Sequence, residues 1–531
     1  MPVHRSFRAI CALIPASILL GLPAGSRAEA PPFLPSAPDS FLGATLDSIP
    51  GTPLELRRAL ELAAGNAPAV REAGAAVDAA RGAVRRERGS FDPELFASVL
   101  RSSEAQPSAS PFSGADVLSL DLTTARGGAR LRLPFGTEFE ASLNSTRSET
   151  NSLFSLLNPE FDTFGLLSVR QPLLSGFGPS ARAGLSSADR ALEAAQARYR
   201  DVTLGVEAET EGAYWEVYAA ERDYAVSLLI RDRARIFVTE SATRARAGIV
   251  GPSAVANAKV FLADQELAVL DSQERLDRAS DRLASLLGMR PDEGVPRFRP
   301  VDQPPREHDL GSVEPLVSAA IAENHEIQAQ RATVEQIRAL ARGATWDALP
   351  TLDFVGSLGA IGLSGTSQEV VFGADTLTTE ISGGFGDTWD QVRGREFPTW
   401  TVGLELTLPL GSREGRGERD RLRAEVARAE ERVKGNENAL EEEVRRAHRE
   451  LSHGQERVRA ALDGVNAALE QVRIGGIEYR NGRTTAFELV RLGADVAASQ
   501  EHYSQALVSA AKAAARLRYL TSGAYGGASP R

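Results

Sequence analysis

Stretches in which apolar and polar residues alternate recur in both halves of the chain. A period of two predicts β-strands with one apolar face. The clearest example runs from Trp400 to Leu410, and about 9–11 residues is the length that a tilted membrane strand requires. In the alternating stretch 130–135, arginine on the face opposite the leucines fits a strand between lipid and a watery lumen. A half-buried strand of a soluble sandwich would alternate in the same way, so both interpretations stay open at this point.

Each strand region leads into a helical pattern far longer than a globular domain needs. Proline-free stretches with helical spacing are predicted to form helices at about 186–247 and about 418–479. The first spans roughly 60 residues, or about 90 Å at the helical rise. A glycine-containing turn follows each long helix, and shorter return helices are expected at about 254–287 and about 485–520.

The order of elements is the same in both halves, which predicts two tandem structural repeats. Each repeat consists of a helix, a strand pair, a long helix, a glycine turn and a return helix, with the strand pairs expected at about 94–174 and about 351–410. The predicted divisions are a signal peptide (1–30), a flexible leader (31–53), a first repeat (54–290), a Pro-rich linker (291–312), a second repeat (313–521) and a tail (522–531).

Composition and charge narrow the functional classes. The net charge of −11, with both signs well mixed along the chain, argues against nucleic-acid binding. Cys11, the only cysteine, lies in the predicted signal peptide, so the mature protein is expected to hold no disulfide. The six histidines show no metal-binding spacing, and the glycine-rich stretch 411–417 lacks a full phosphate-loop fingerprint. No catalytic, cofactor-binding or metal-binding residue is predicted, and the chain is not expected to be an enzyme.

Over residues 54–521 the chain resembles the TolC family of outer-membrane efflux and secretion channels. The resemblance rests on three stretches in order, which are 169–174 (VRQPLL), 402–410 (VGLELTLPL) and 479–488 (YRNGRTTAFE). It implies a mixed α+β membrane protein with four membrane β-strands per protomer, which form a twelve-strand barrel as a trimer. Long periplasmic α-helices joined to these strands would form an α-barrel. Physics also requires further copies, because four strands leave two edges whose unpaired backbone groups are costly in lipid.

The resemblance implies the outer-membrane exit duct of a tripartite efflux pump or type I secretion system. Such a duct is a passive homotrimeric channel of the bacterial outer membrane with its helical part in the periplasm. Its implied partners are outer-membrane lipid, a periplasmic membrane fusion (adaptor) protein and an inner-membrane transporter. The alternative is a soluble periplasmic coiled-coil scaffold or adaptor of an envelope transport complex, which explains the helices but not the alternating strands. An envelope enzyme has no supporting motif.

The resemblance also places candidate pore-constriction residues at the second helical turn. Glu488 matches an acidic ring of the family, and Tyr479 matches a tyrosine that helps to hold the mouth shut. The family's second acidic position holds Arg491 here, which would pair with Glu488 on one helix face. The family's gate arginine falls on Thr484, with Arg483 beside it. A solvated helix carboxylate is the competing interpretation of Glu488.

Two further groups of residues follow from the same reasoning. The aromatic residues at the start of the strand before the second long helix suit a membrane interface, and these are Trp400 and Phe397. The two turns need residues tolerant of positive φ, and Ser253 is a plausible N-cap. By resemblance these turns dock the adaptor, through Gly248, Gly251, Ser253 and Gly482.

Overall fold

The computed structural model describes residues 38–109, 114–289, 297–372, 375–481 and 483–526. The predicted signal peptide and Gly482 lie outside these described residues, as do parts of the predicted leader, linker and tail.

Helices make up most of the described chain, and two of them are much longer than the rest. α4 (Ala183–Arg246) and α9 (Arg413–Arg480) have 64 and 68 residues, or about 100 Å each at the helical rise. Each is followed by a return helix of 35 residues, α5 (Pro252–Leu286) or α10 (Ala486–Leu520). The shorter helices are α1 (Pro38–Ser48), α2 (Leu56–Asn66), α3 (Pro68–Gly89), α6 (Val313–Glu323), α7 (His325–Asp347) and α8 (Phe385–Gly394).

A break divides the helix that precedes the sheet strands in each repeat. In the second repeat Asn324 caps α7, since its Oδ1 accepts a hydrogen bond from Ile327 N at 3.0 Å. The Asn324 amide also donates to Leu520 O at 3.2 Å, which fixes the break to the end of α10. In the first repeat Pro68 begins α3, a position where its missing N–H costs no helical hydrogen bond. Beyond the breaks, α3 packs on α4, and α7 packs on both α4 and α9.

Two large apolar cores hold the helices together. In the first core Tyr214 and Trp215 of α4 are fully buried. The Tyr214 hydroxyl donates to Leu54 O at 2.8 Å and so ties α4 to the short strands beside it. In the second core Leu451 of α9 packs with Leu517 of α10. In the described part of the chain, no helix combines the length and the apolar character needed to cross a bilayer.

One antiparallel sheet of six strands contains segments of both repeats, in the order β10-β7-β5-β4-β3-β2. Ser168 of β5 lies opposite Ser357 of β7 where the repeats join. The six strands are β2 (Glu94–Pro107), β3 (Val117–Arg132), β4 (Glu138–Thr150), β5 (Leu157–Pro172), β7 (Thr351–Ser367) and β10 (Phe397–Thr407). The other strands form two small pairs, β1 (Thr52–Leu54) with β6 (Phe298–Pro300), and β8 (Val370–Phe372) with β9 (Asp375–Leu377).

The expected mixture of long helices and membrane-length strands is present, but the sheet has six strands where four were expected. The difference lies in the first repeat, which forms two hairpins, β2–β3 and β4–β5, instead of one strand pair. A tight turn with Gly136 at φ +98° joins the hairpins, and Leu133 N donates to Thr137 O across it at 2.8 Å. The family pattern of one strand pair per repeat therefore predicts too few strands for this chain. The turn at Gly136 adds a second hairpin to the first repeat.

The two faces of the sheet differ in chemistry over the half nearest the long helices. One face, here called the apolar face, carries exposed side chains that include Leu95, Val99, Phe139, Leu167, Phe354, Leu358, Trp400, Val402, Leu404 and Leu406. The opposite, charged face carries ion pairs such as Arg130–Glu140 at 3.0 Å. Phe397 lies on the charged face, whereas Trp400 lies on the apolar face. Toward the far ends of β2 and β3 the polarity of the two faces is reversed. There the charged Arg101 lies on the side of the apolar face, and the apolar Leu122 lies on the side of the charged face.

A short helix covers part of the apolar face. α8 packs on β7 and β5, where Thr388 is buried with its Oγ1 2.9 Å from Thr163 Oγ1. Gly362 makes this approach possible, because a Cβ there would lie 2.3 Å from Thr388 O. The Gln391 side chain accepts a hydrogen bond from Leu363 N at 2.8 Å. Gln391 thus satisfies a backbone group of β7 beyond the point where its pairing with β10 ends.

Candidate gate at the helical turns

The C-terminal ends of α4 and α9 lie side by side, one long helix away from the sheet. Tyr479 of α9 contacts two charged side chains of α4 here. Its hydroxyl donates a hydrogen bond to Glu240 Oε1 and accepts one from the Arg244 guanidinium. Arg244 also pairs with Glu240 at 2.9 Å, and its Cζ lies 5.0 Å from the centroid of the Tyr479 ring. We call Glu240, Arg244 and Tyr479 the tip lock.

The tip lock joins the two repeats through residues 235 positions apart in the chain. The Arg244 and Glu240 side chains are 39% and 37% exposed, so solvent weakens their ion pair without removing it. Beside the lock lies a cleft of about 150 Å³ between α4, α9 and α10, lined mainly by apolar residues that include Phe237, Val472 and Leu489. The contact between the helix pairs here is therefore a small polar network next to incompletely filled space. Such a contact separates at lower cost than a fully packed core does.

The turn between α4 and α5 depends on Gly248. This residue has φ +74°, a conformation that costs glycine little and other residues more. Gly248 N donates to Ala245 O at 3.0 Å and Ile249 N donates to Arg244 O at 2.9 Å, which closes the helix end. Gly251 occupies the N-cap position of α5, which begins at Pro252. Ser253 therefore lies in the first turn of α5 and is not its N-cap.

The turn between α9 and α10 is closed by side-chain capping. Thr485 Oγ1 accepts a hydrogen bond from Glu488 N at 3.2 Å and so caps α10. The Glu488 carboxylate pairs with Arg491 at 3.0 Å. Arg483 N donates to Glu478 O at 2.9 Å, and the Arg483 side chain is exposed. Of the four candidate constriction residues, the structure brings Tyr479 into the lock and pairs Glu488 with Arg491, whereas Arg483 lies apart from both contacts.

Sequence reasoning did not identify Glu240 and Arg244, the partners of Tyr479. They are an acidic and a basic residue four positions apart on one helix face, and Arg244 lies four positions before Gly248. In the second repeat Tyr479 lies three positions before Gly482, close to the corresponding place. A residue-by-residue comparison of the two repeats at the turns could have identified Glu240 and Arg244 as partners of Tyr479.

A second polar network lies on the charged face, close to the long helices. Arg170 of β5 pairs with Asp353 of β7 at 2.7 Å and with Glu405 of β10 at 2.9 Å. The Asp353 side chain is only 7% exposed, whereas those of Arg170 and Glu405 are 52% and 58% exposed. These three residues link strands of both repeats at the strand ends nearest the helices. Among the described residues, no group of His, Cys, Asp and Glu is arranged to hold a metal ion.

Comparison with known proteins places this architecture in a family of transport conduits. The model of the outer membrane efflux protein family matches residues 59–289 and 316–523. The chain belongs to this family, and it is an outer-membrane efflux channel. The TolC-like class predicted from the sequence is thereby confirmed. No curated protein matches the chain.

Several solved outer-membrane channels share the fold at low sequence identity. The channel OprN is 19% identical with a TM-score of 0.63, over 88% of this chain and 90% of its own. The CmeC channel of Campylobacter jejuni is 14% identical with a TM-score of 0.61, over 88% and 86%. The open state of the MtrE channel of Neisseria gonorrhoeae is 16% identical with a TM-score of 0.60, over 88% and 89%.

Proposed function

We propose that three copies of the chain form a passive exit duct that serves a tripartite efflux pump or a type I secretion system. An inner-membrane transporter energises the export, and a periplasmic adaptor connects it to the helical turns. The observation that carries the proposal is the apolar face, where Leu95, Trp400 and Leu404 are 82%, 73% and 66% exposed. An apolar surface of this kind needs lipid or protein to cover it. The charged opposite face suits a water-filled lumen.

The helical part carries surface that suits contacts between copies. On α5 the side chains of Val260, Leu267 and Leu270 are each 61% exposed. Leu267 and Leu270 are three residues apart and Val260 is seven before Leu267, so all three lie near one helical stripe. An apolar stripe along a helix packs on another helix when one is available. A neighbouring copy in the proposed trimer would provide that helix.

The tip lock is proposed to hold the periplasmic mouth closed. It connects the α4–α5 pair to the α9–α10 pair at the end of the helices, where an outward movement of one pair would widen the opening. Glu488 is proposed to form a carboxylate ring with its two copies around the axis. The Arg491 paired with each Glu488 reduces the negative charge of that ring. This proposal therefore predicts only modest cation preference for the intact channel.

The turns are proposed to dock the adaptor. Gly248, Gly251 and Ser253 are exposed and small, so another helix can approach them closely. Ile249 and Phe487 project from the two turns with 69% and 55% exposure. Exposed apolar side chains surrounded by small residues suit a helix-to-helix contact. Replacing Ile249 with Asp is expected to reduce co-purification of the adaptor, whereas replacing Ser253 with Ala is expected to preserve it.

Membrane fractionation of the intact chain tests the proposed duct. The expected result is a trimer in the outer-membrane fraction that dissociates only on heating in detergent. A monomer found solely in the periplasmic fraction would instead support the soluble scaffold or adaptor and would contradict the duct.

Single-channel recordings test the proposed ring. Glu488→Ala is expected to lower the preference for cations, because it removes the carboxylates from the axis. Arg491→Ala is the matched control and is expected to raise the preference, because it leaves the same carboxylates unpaired. If neither variant alters ion selectivity, Glu488 does not line the constriction.

A further inference from the structure

We infer that neighbouring copies join through β2 of one and β10 of the next, so that the trimer closes a wall of eighteen strands instead of twelve. The inference deepens the proposed function and rests on its trimer. It starts from the six strands of the sheet, whose two unpaired edges are β2 and β10. Three copies of six strands give eighteen, whereas the resemblance alone implied three copies of four.

Strand direction permits this junction. Every neighbouring pair in the sheet is antiparallel, so strand direction alternates from β10 through to β2. Because the number of strands is even, β2 and β10 run in opposite directions. Placed side by side in a ring, they would therefore pair antiparallel and continue the alternation. Their lengths are similar, with 14 residues in β2 and 11 in β10.

The chemistry of the added hairpin shows on which surface it belongs. Leu95 and Val99 of β2 are 82% and 75% exposed and lie on the same face as Trp400 of β10. On the other face the Phe96 ring is covered by Arg126 and Arg130, whose Cζ atoms lie 5.3 Å and 4.6 Å from its centroid. A hairpin inside a water-filled lumen would have no reason to expose leucine and valine. In its half nearest the long helices this hairpin has the same apolar and charged sides as the rest of the sheet, which suits a place in the wall.

The alternative twelve-strand wall would use only β4, β5, β7 and β10, with β4 at the junction. That edge of β4 is already occupied, because β3 pairs with it over 13 residues, from Glu138 opposite Arg132 to Thr150 opposite Leu120. Ion pairs reinforce this contact, since Glu140 of β4 binds both Arg126 at 3.1 Å and Arg130 at 3.0 Å of β3. Freeing β4 would break this ladder and leave its backbone groups without partners.

The consequence is a wider channel through the membrane. Barrel diameter grows roughly linearly with strand number, so eighteen strands enclose a barrel about 1.5 times as wide as twelve. Barrels of about 16–18 strands hold an open aqueous channel. The strand wall would then be wider than the helical part of the duct, and the helical turns would form its narrowest point.

Paired cysteines test the junction directly, since Cys11, in the predicted signal peptide, is the only native cysteine. Ser98→Cys on β2 is combined in turn with Thr399→Cys, Thr401→Cys and Thr407→Cys on β10, all on the charged face. Residues directly opposite on paired strands have Cβ atoms about 4.5–5.5 Å apart, close enough for oxidation to join them. At least one combination is expected to shift the denatured protein from monomer to covalent trimer, a threefold increase in mass.

Two control pairs complete the experiment. Ser98→Cys with Ser168→Cys of the sheet interior is expected to remain monomeric after oxidation and denaturation. Ser142→Cys of β4 with Thr401→Cys would cross-link copies only in the twelve-strand wall, since in the eighteen-strand wall these strands are three positions apart, about 14 Å.

The outcomes separate the inference from the proposed function. A heat-dissociable trimer in which no β2–β10 pair cross-links overturns the eighteen-strand wall, whatever the β4 pair does, and leaves the duct standing. Loss of the trimer already in the cysteine-free chain overturns the duct itself. Each single-cysteine variant must form the trimer before its pair is scored, so that a folding defect is not taken for a missing junction.

Discussion

The tip lock makes a quantitative prediction for Tyr479→Phe, which removes one hydroxyl and keeps the ring. The hydroxyl binds Glu240 and Arg244 in the closed state. A hydrogen bond to a charged group contributes about 1.5–3 kcal/mol when shielded. Because both charged side chains are more than one third exposed, we reduce this to about 1 kcal/mol per protomer.

Three copies would multiply the effect. If the three locks open together, the variant destabilises the closed mouth by about 3 kcal/mol, which is roughly a 100-fold change in the ratio of open to closed states. Recordings in planar bilayers measure this ratio as open probability, or as time spent in larger conductance levels. Glu240→Gln is expected to act in the same direction, because it removes the charge that Tyr479 and Arg244 share.

Tyr199→Phe is the control, because Tyr199 also lies on a long helix, α4, is partly exposed to solvent at 38% and is far from the turn. It is expected to leave open probability unchanged. The reasoning is refuted if Tyr479→Phe behaves like Tyr199→Phe in trimers of normal heat stability. In that case the tip lock would be a surface contact without influence on the mouth.

Three further predictions concern stability. Gly248→Ala is expected to cost about 1 kcal/mol, because φ is +74° there. Gly251→Ala, at φ −78°, carries no such backbone strain and should lose only the preference for glycine over alanine at an N-cap in the same denaturant unfolding. Burial raises the pKa of Glu221 from 4.5 to about 7. The native state then holds more protons than the unfolded one between these values, and stability falls as pH rises through that window. At pH 8, Glu221→Gln should therefore increase the free energy of unfolding by up to about 3 kcal/mol, seen as a higher melting temperature. At pH 4 it should have little effect. Arg170→Met leaves the buried Asp353 carboxylate without its cation, which should destabilise the folded protein by about 3 kcal/mol. The trimer should therefore dissociate at a lower temperature.

Local periodicity was sufficient to predict most elements of this fold. The long helices were expected at about 186–247 and about 418–479, and the structure has them at Ala183–Arg246 and Arg413–Arg480. This agreement has a physical basis, since a helix of that length is specified by its own hydrogen bonds, repeated apolar stripe and absence of proline. Gly248 was likewise predicted from its turn chemistry and has the positive φ expected of it.

The number of strands could not be obtained in the same way. In β3 the apolar residues lie at even positions from Leu118 to Leu122 but at an odd position in Leu131, so their alternation changes phase within one strand. A change of phase resembles the end of one strand and the start of another. Pairing with β2 over residues 117–130 and with β4 over residues 120–132 keeps β3 continuous, and that pairing is a tertiary property.

The sequence by itself determined the periodic elements, the twofold repeat and the turns, because each depends on interactions between residues a few positions apart. The tertiary structure alone decided which side chains meet. Tyr479 finds Glu240, and Arg170 finds Asp353, only after helices and strands distant in the chain have packed. Such pairings depend on the register between elements, and no local pattern of charge or hydrophobicity encodes that register.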